Sequence, residues 1–209
     1  MATSSSRTGA SLRAVRIALR CIMLRSSLLV LGLFLFGLPA QAQSTWNFDR
    51  TATEVSFIGQ SFGAIVANGR FERYDGIFSI DFDHPEKSHV KVTLDAASIS
   101  AGSALVDGFI AGANMLDSAK YPKVTFASDT VTRIGGNDLD IRGSLTIKGI
   151  THPFRVRVMI DRDVDKLRRG NALPFRASGS FLGPAYGIGR GVNIIDDQIH
   201  IEIKGRLAR

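Results

Sequence analysis

Four histidines are available for metal or acid–base chemistry in this sequence, namely His84, His89, His152 and His200. Asp81 and Asp83 stand close to the first two, so carboxylate and imidazole ligands for a metal ion occur together in one short segment. The same segment contains DHPE, residues 83–86, a run of turn-forming and charged residues that is typical of a solvated hairpin turn. We therefore predict no metal site and no required cofactor.

Nucleophilic catalysis and dinucleotide binding find little support in the sequence. Ser98, Ser100 and Ser103 have no histidine beside them, whereas an activated serine needs a base within hydrogen-bond reach. The glycines of GIGRG, residues 187–191, lack the preceding strand, following helix and downstream acid of a dinucleotide site. The sequence predicts a binding protein and no enzyme, with no catalytic residue.

The elements that must position any site are strands with one apolar face. From residue 44 onward, apolar residues recur at every second position with polar residues between them. The clearest segments are residues 78–82, 90–94, 154–160 and 199–203. Such alternation is typical of antiparallel sheets that have one face in the core and one in water.

One segment departs from this pattern. In residues 103–119, SALVDGFIAGANMLDSA, the apolar residues fall nearer to helical spacing, and Gly108 and Gly112 shorten any helix. We expect one or two short helical turns there. In GSLTIKGITHPF, residues 143–154, we predict a hairpin whose turn covers residues 149–153.

About eight strands in one domain must protect their edges, which closure of the sheet achieves completely. The predicted fold is therefore an all-β, antiparallel, closed or nearly closed barrel of about eight strands with one or two short helical turns. A barrel of this size either is filled by side chains or holds one small ligand. A two-sheet sandwich is the competing architecture, and periodicity does not separate the two.

The first 42 residues carry the features of a secretory leader. Five arginines precede an apolar run at residues 26–38, and Ala40-Gln41-Ala42 supplies a cleavage signature. We predict a signal peptide at residues 1–42, a mature domain at 43–209, and a periplasmic or secreted location; an uncleaved anchor is the alternative. Removal of the five arginines lowers the formal net charge from +7 to +2, which argues against a nucleic-acid partner. The single cysteine, Cys21, leaves with the leader.

The motifs YPKVTF at Tyr121, GSLTIKGITHPF at Gly143 and DQIHIEIKG at Asp197, with RFERYDGIFSIDF at Arg70, resemble the YceI-like, or polyisoprenoid-binding, family. The resemblance spans the mature chain. It implies a lipocalin-like barrel with a hydrophobic channel for a long isoprenoid chain, such as a quinone tail or a polyprenyl lipid. Where the family commonly has a histidine-serine pair this chain has Ala52 and Thr53, so the resemblance supports the channel better than a particular head-group site.

The expected function is carriage or storage of a long-chain isoprenoid lipid, with transient membrane contact for lipid exchange. The alternatives are an accessory redox or enzymatic protein that acts on a bound quinone, and a structural β-domain without ligand. The predicted ligand-contacting residues are apolar or aromatic and lie on inward strand positions or in the helical segment. They are Phe78, Phe82, Leu105, Phe109, Ile110, Met115, Leu116, Phe126, Phe154, Phe181 and Tyr186. Those of the helical segment are expected to cover a mouth of the channel.

Overall fold

The computed structural model describes residues 44–61, 64–160, 170–189 and 198–209. The predicted leader at residues 1–42, with Cys21, lies outside the described residues. The strands, in chain order, are β1 (Ser44–Phe48), β2 (Glu54–Ser61), β3 (Ala64–Phe71), β4 (Tyr74–Ile80), β5 (His89–Asp95), β6 (Ile99–Ser100), β7 (Lys123–Gly135), β8 (Asp138–Ile147), β9 (Ile150–Ile160), β10 (Ala172–Leu182) and β11 (Gln198–Ala208). One α-helix, α1 (Ala104–Ala111), and two 3-10 turns, Pro85–Lys87 and Gly183–Tyr186, complete the elements of the described chain.

Eight of these strands form a closed antiparallel ring. The order around the ring is β1-β4-β5-β7-β8-β9-β10-β11, and pairing of Phe48 with Leu207 joins β11 back to β1. Strands β2, β3 and β6 continue the sheet outward from β11. The structure thus confirms the predicted closed barrel of about eight strands and rejects the sandwich.

The β8–β9 hairpin contains the motif GSLTIKGITHPF, residues 143–154. Its turn is only Lys148-Gly149, both with positive φ (51° and 74°), between the paired residues Ile147 and Ile150. A two-residue turn of this kind matches the twist of antiparallel strands, and glycine tolerates its backbone angles. The predicted turn at residues 149–153 is therefore too long: Pro153 lies inside β9, opposite Ser144.

Proline is tolerated in β9 because this part of the strand has only one strand neighbour. Strand β9 pairs with β8 along its whole length, but with β10 only from Arg157 to Ile160. On the N-terminal side of Arg157, β9 is no longer paired with β10. A missing backbone N–H is acceptable at such a one-sided strand.

Helix α1 closes one end of the barrel. The Ser103 side chain accepts a hydrogen bond from the Val106 N–H and caps the first turn. The helix ends at Ala111, with Gly112 as its C-cap, and confirms the short helical turns expected within residues 103–119. Ile110 packs inward, and the following Met115 and Leu116 are buried with it. None of the described helices is long and apolar enough to span a membrane.

Candidate functional site

The barrel encloses an apolar cavity, called here the main cavity, with a volume of about 140 Å³. Every strand of the eight-stranded ring contributes a lining side chain, for example Phe48 from β1, Phe126 from β7 and Leu207 from β11. Counted with its opening to solvent, the unfilled space between the walls is about 1270 Å³. The inward strand positions therefore do not fill the barrel.

Several side chains of the main cavity keep part of their surface accessible although they point into the barrel. Val156, Val158 and Ile160 occupy alternate positions of β9 and are only partly buried, whereas the intervening Arg155 and Arg157 are exposed outside. Leu139, Ile201 and Ile203 are likewise partly buried wall residues. A solid core would have buried them.

Polar side chains border the main cavity at the end formed by the β4–β5 turn and the end of β7, called here the rim end. The Ser88 hydroxyl accepts the Asp81 N–H at 3.0 Å, and one Asp81 carboxylate oxygen accepts the His84 N–H at 2.8 Å. Across the cavity end, Arg133 Nη2 donates to the carbonyl oxygen of Phe82 at 3.1 Å. These bonds tie the turn to β7 and hold a carboxylate and a guanidinium beside an apolar wall.

The opposite end, called here the helix end, is closed. A second apolar cavity of about 50 Å³, the end cavity, lies between α1 and strands β2, β3 and β11. Ile110, Met115 and Leu116 line it and are at least nine-tenths buried. The two cavities share one lining residue, Ile201.

A chain of aromatic contacts fills the region where β9 and β10 separate. Ring centroids are 5.9 Å apart for Phe126 and Phe154, 6.1 Å for Phe154 and Phe181, and 5.1 Å for Phe181 and Tyr186. The His152 ring meets Tyr186 at 5.1 Å from outside. All four contacts are edge-to-face, a favourable arrangement of aromatic quadrupoles. Burial raises the pKa of the Tyr186 phenol above its usual range.

The structure separates the predicted contact residues into four groups. Phe78, Phe82, Phe126 and Phe154 line the main cavity; Ile110, Met115, Leu116 and Phe181 line the end cavity; Tyr186 is buried beside Phe181; Leu105 and Phe109 project into solvent. Leu105 and Phe109 are 85% and 46% exposed and line neither cavity. They therefore do not cover a mouth of the main cavity, contrary to the prediction from the sequence. The three buried residues of this segment seal the end that is remote from the polar rim.

Sequence reasoning selected aromatic residues and missed the aliphatic wall. Val131, Leu139, Val158 and Leu173 line the main cavity as directly as the phenylalanines do. The signal was present, because these residues occupy the same alternate positions of their strands. Arg133 was also missed, and Asp81 was considered only as a metal ligand; nothing in their spacing distinguishes rim residues from other residues near a turn.

Charged groups pair on the outer wall. Asp140 is 4% exposed beneath Arg155 and Arg142, and its hydrogen bond from Arg155, with a further one from Arg142, holds the pKa of the carboxyl below its usual range. Asp95 is similar: the hydrogen bond from Arg73 lowers its pKa. These pairs stabilise the outer surface. Among the residues that the structure describes, the only charged groups lining the main cavity are Asp81 and Arg133 at its rim.

No group of three or more His, Cys, Asp or Glu residues that could hold a metal ion occurs in the described part of the chain. The Asp81 carboxylate instead caps the backbone of its turn, and His84 Nδ1 lies 3.7 Å from the Glu86 carboxylate.

The sequence also contains a G-x-S-x-G string, GQSFG at residues 59–63. A nucleophile elbow places this string between a strand and a helix. Here the string connects two antiparallel strands, β2 and β3, so that context is missing.

Comparisons with known proteins agree with this architecture. The YceI-like domain family matches residues 46–207. A UPF0312 protein of Enterobacter sp. (strain 638) is 32% identical over 169 residues, covering 75% of this chain and 88% of that protein. Protein YceI of Escherichia coli O157:H7 is 33% identical over 141 residues, covering 63% and 73% of the two chains.

Two solved structures share the fold. The crystal structure of Burkholderia cenocepacia BcnA superposes with a TM-score of 0.68 at 23% identity, covering 78% of this chain and 99% of that one. A polyisoprenoid binding domain from Saccharophagus degradans gives a TM-score of 0.59 at 13% identity, covering 78% and 97%. At these identities the two structures establish the shared barrel and nothing finer.

Proposed function

The chain belongs to the YceI-like family, and on this premise we propose that it is a binding protein that holds a long isoprenoid lipid, quinone-like or polyprenyl, in the main cavity. The observation that carries the proposal is a barrel interior lined by apolar side chains from all eight ring strands and left unfilled. The related fold of a polyisoprenoid binding domain supports the same ligand class.

Apolar contact alone can supply the affinity. Each methylene that leaves water contributes about 0.8 kcal/mol, so a tail of a few isoprenoid units gains several kcal/mol without a hydrogen bond. An apolar cavity of about 150 Å³ stays dry and binds a small hydrocarbon in other proteins. A longer tail requires the partly buried wall side chains of β9, such as Val156 and Val158, to move apart.

The polar head group belongs at the rim end in this proposal. Arg133 and Asp81 border the cavity there. The guanidinium of Arg133 can donate to a carbonyl or phosphate oxygen, and the carboxylate of Asp81 can accept from a hydroxyl group. The tail then extends toward Ile201 and the helix end. No proton transfer is needed, which favours a carrier or store over an enzyme that acts on the bound quinone.

Exchange with a membrane would take place at the same rim. Two large apolar side chains, Ile134 and Met159, are about half exposed near the ends of β7 and β9. Together with Arg133 they form a surface suited to a transient contact with lipid. The predicted leader supports a periplasmic or secreted location, where such a carrier would shuttle lipid through water.

A cavity-filling variant tests the proposal. Val158→Phe places a ring in the main cavity and should reduce binding of a long-tailed ubiquinone at least tenfold while the fold persists. The matched control is Arg157→Phe, the residue before Val158 in β9, which is exposed on the outer face. Delipidated protein would be incubated with quinone-containing vesicles, separated by size, and extracted for quinone absorbance. Wild-type protein that takes up no quinone, or equal uptake by Val158→Phe, would refute the proposal.

A further inference from the structure

The main cavity and the end cavity meet at a thin partition. Ile201 of β11 is the lining residue that they share. Phe154 lines the main cavity and Phe181 the end cavity, with ring centroids 6.1 Å apart in an edge-to-face contact. Three side chains from adjacent strands thus separate two apolar spaces.

The register of the sheet explains why Ile201 is central to this partition. Its neighbour on β10 is Gly179, and its neighbour on β2 is Phe57. Because Gly179 has no side chain, the Phe154 ring occupies the space beside it: a Cβ on Gly179 would lie 2.5 Å from Phe154 Cζ. Ile201 is therefore the only inward aliphatic side chain on these three strands at this level.

We propose that Ile201, supported by Phe154 and Phe181, limits the length of the lipid tail that the protein accepts. This rests on the proposed function and adds a selectivity to it. A tail that enters at the rim end advances along the main cavity until its terminal methyl groups meet Ile201. Further units of a longer tail stay outside in water, so they add no binding free energy.

The size of the end cavity limits how much longer a tail could become if the partition were removed. Ile110, Met115 and Leu116 seal the end cavity against solvent. Removal of the Ile201 side chain would join a space of about 50 Å³ to the main cavity. A joined cavity has room for about one more isoprenoid unit, a handful of methylene-sized groups.

The experiment compares two alanine variants on the same strand. Ile201→Ala opens the partition, whereas Ile203→Ala removes an identical side chain that lines the main cavity alone. Geraniol, farnesol, geranylgeraniol and longer polyprenols would compete with an environment-sensitive apolar dye for each protein. The readout is the tail length beyond which affinity stops rising.

We expect the wild-type protein and Ile203→Ala to stop at the same length and Ile201→Ala to stop about one unit later, with at least about tenfold higher affinity for that longer probe, the gain from about two buried methylenes. Ile201→Val should shift the profile in the same direction by less, and it serves if the alanine variant unfolds. An unchanged limit in Ile201→Ala and Ile201→Val, or an equal shift in Ile203→Ala, would overturn the partition while leaving lipid binding intact. Absence of binding by the wild-type protein would overturn both proposals.

Discussion

The rim end and the helix end of the barrel are built from the same alternating strands, yet the rim end borders a cavity of about 140 Å³ and the helix end only a sealed one of about 50 Å³. At the helix end, α1 supplies Ile110 and the segment after it supplies Met115 and Leu116, and these buried side chains close the interior. At the rim end, the described residues supply a hydrogen-bonded turn and Arg133, which border the cavity without filling it. Strand alternation directs side chains inward, and the covering elements decide whether those side chains meet.

The largest expected difference between the two ends is in stability. Tyr186→Ala removes a 2% exposed ring from the helix end and should cost about 3–5 kcal/mol of unfolding free energy. Phe82→Ala removes a partly exposed ring from the rim end and should cost less than about 2 kcal/mol, because less of its surface leaves water on folding. Urea denaturation of both variants measures the contrast. Equal losses would mean that the rim end is packed like the helix end.

Phe126→Ala tests the wall between the two ends. Phe126 lines the main cavity and contacts Phe154, so the variant should lose less stability than Tyr186→Ala and bind lipid several-fold more weakly. The measurements are thermal unfolding and the quantity of extracted quinone. A variant that unfolds as readily as Tyr186→Ala, from a wild type that never carried lipid, would show the interior to be an ordinary core.

An aspartate introduced at the rim end or at the helix end of the barrel tests which end contacts the membrane. Met159 and Phe109 are almost equally exposed, at 48% and 46%, but lie at the rim end and the helix end respectively. Met159→Asp should slow quinone uptake from vesicles several-fold because a carboxylate is poorly accommodated in lipid, and Phe109→Asp should leave it unchanged. Both variants should fold. Slower uptake by Phe109→Asp alone would restore the sequence-based hypothesis that α1 covers the mouth.

The smallest expected effect is a loss of folding stability at low pH. The folded-state pKa values of Asp49, Asp95 and Asp140 are lowered by hydrogen bonds, chiefly from Thr51, Arg73 and Arg155. The pKa of an aspartate in the unfolded chain is about 3.9. The stabilisation is therefore present above that pH and is lost as the pH falls through the lower pKa values of the folded state. Denaturation midpoints at pH 7 and pH 3 measure it. Asp140→Asn should reduce the difference between the midpoints at the two pH values. A difference equal to that of the wild-type protein would contradict the role of Asp140.

The sequence predicted antiparallel strands because its alternation is regular, as in residues 78–82 and 154–160. The closed barrel followed from the need to protect strand edges and from the family resemblance. Phe126 and Phe154 were predicted to contact the ligand, whereas Phe48 and Phe175, which also line the main cavity, were not. It could not predict that Met115 borders the small, sealed end cavity while Val158 borders the larger main cavity, because both are inward apolar residues and the difference depends on barrel radius and on covering elements. The excess length of the predicted turn at Pro153 has a similar origin: the separation of β9 from β10, which makes that proline acceptable, is a property of the closed sheet.

Native mass spectrometry of the exported protein, purified gently from a bacterial host that makes isoprenoid quinones and polyprenyl lipids, tests the central claim most directly. We expect a population heavier than the polypeptide by the mass of one isoprenoid lipid, which denaturing solvent releases, and a much smaller such population for Val158→Phe. A spectrum that shows only the bare polypeptide, even after incubation with quinone-containing vesicles, would contradict the account.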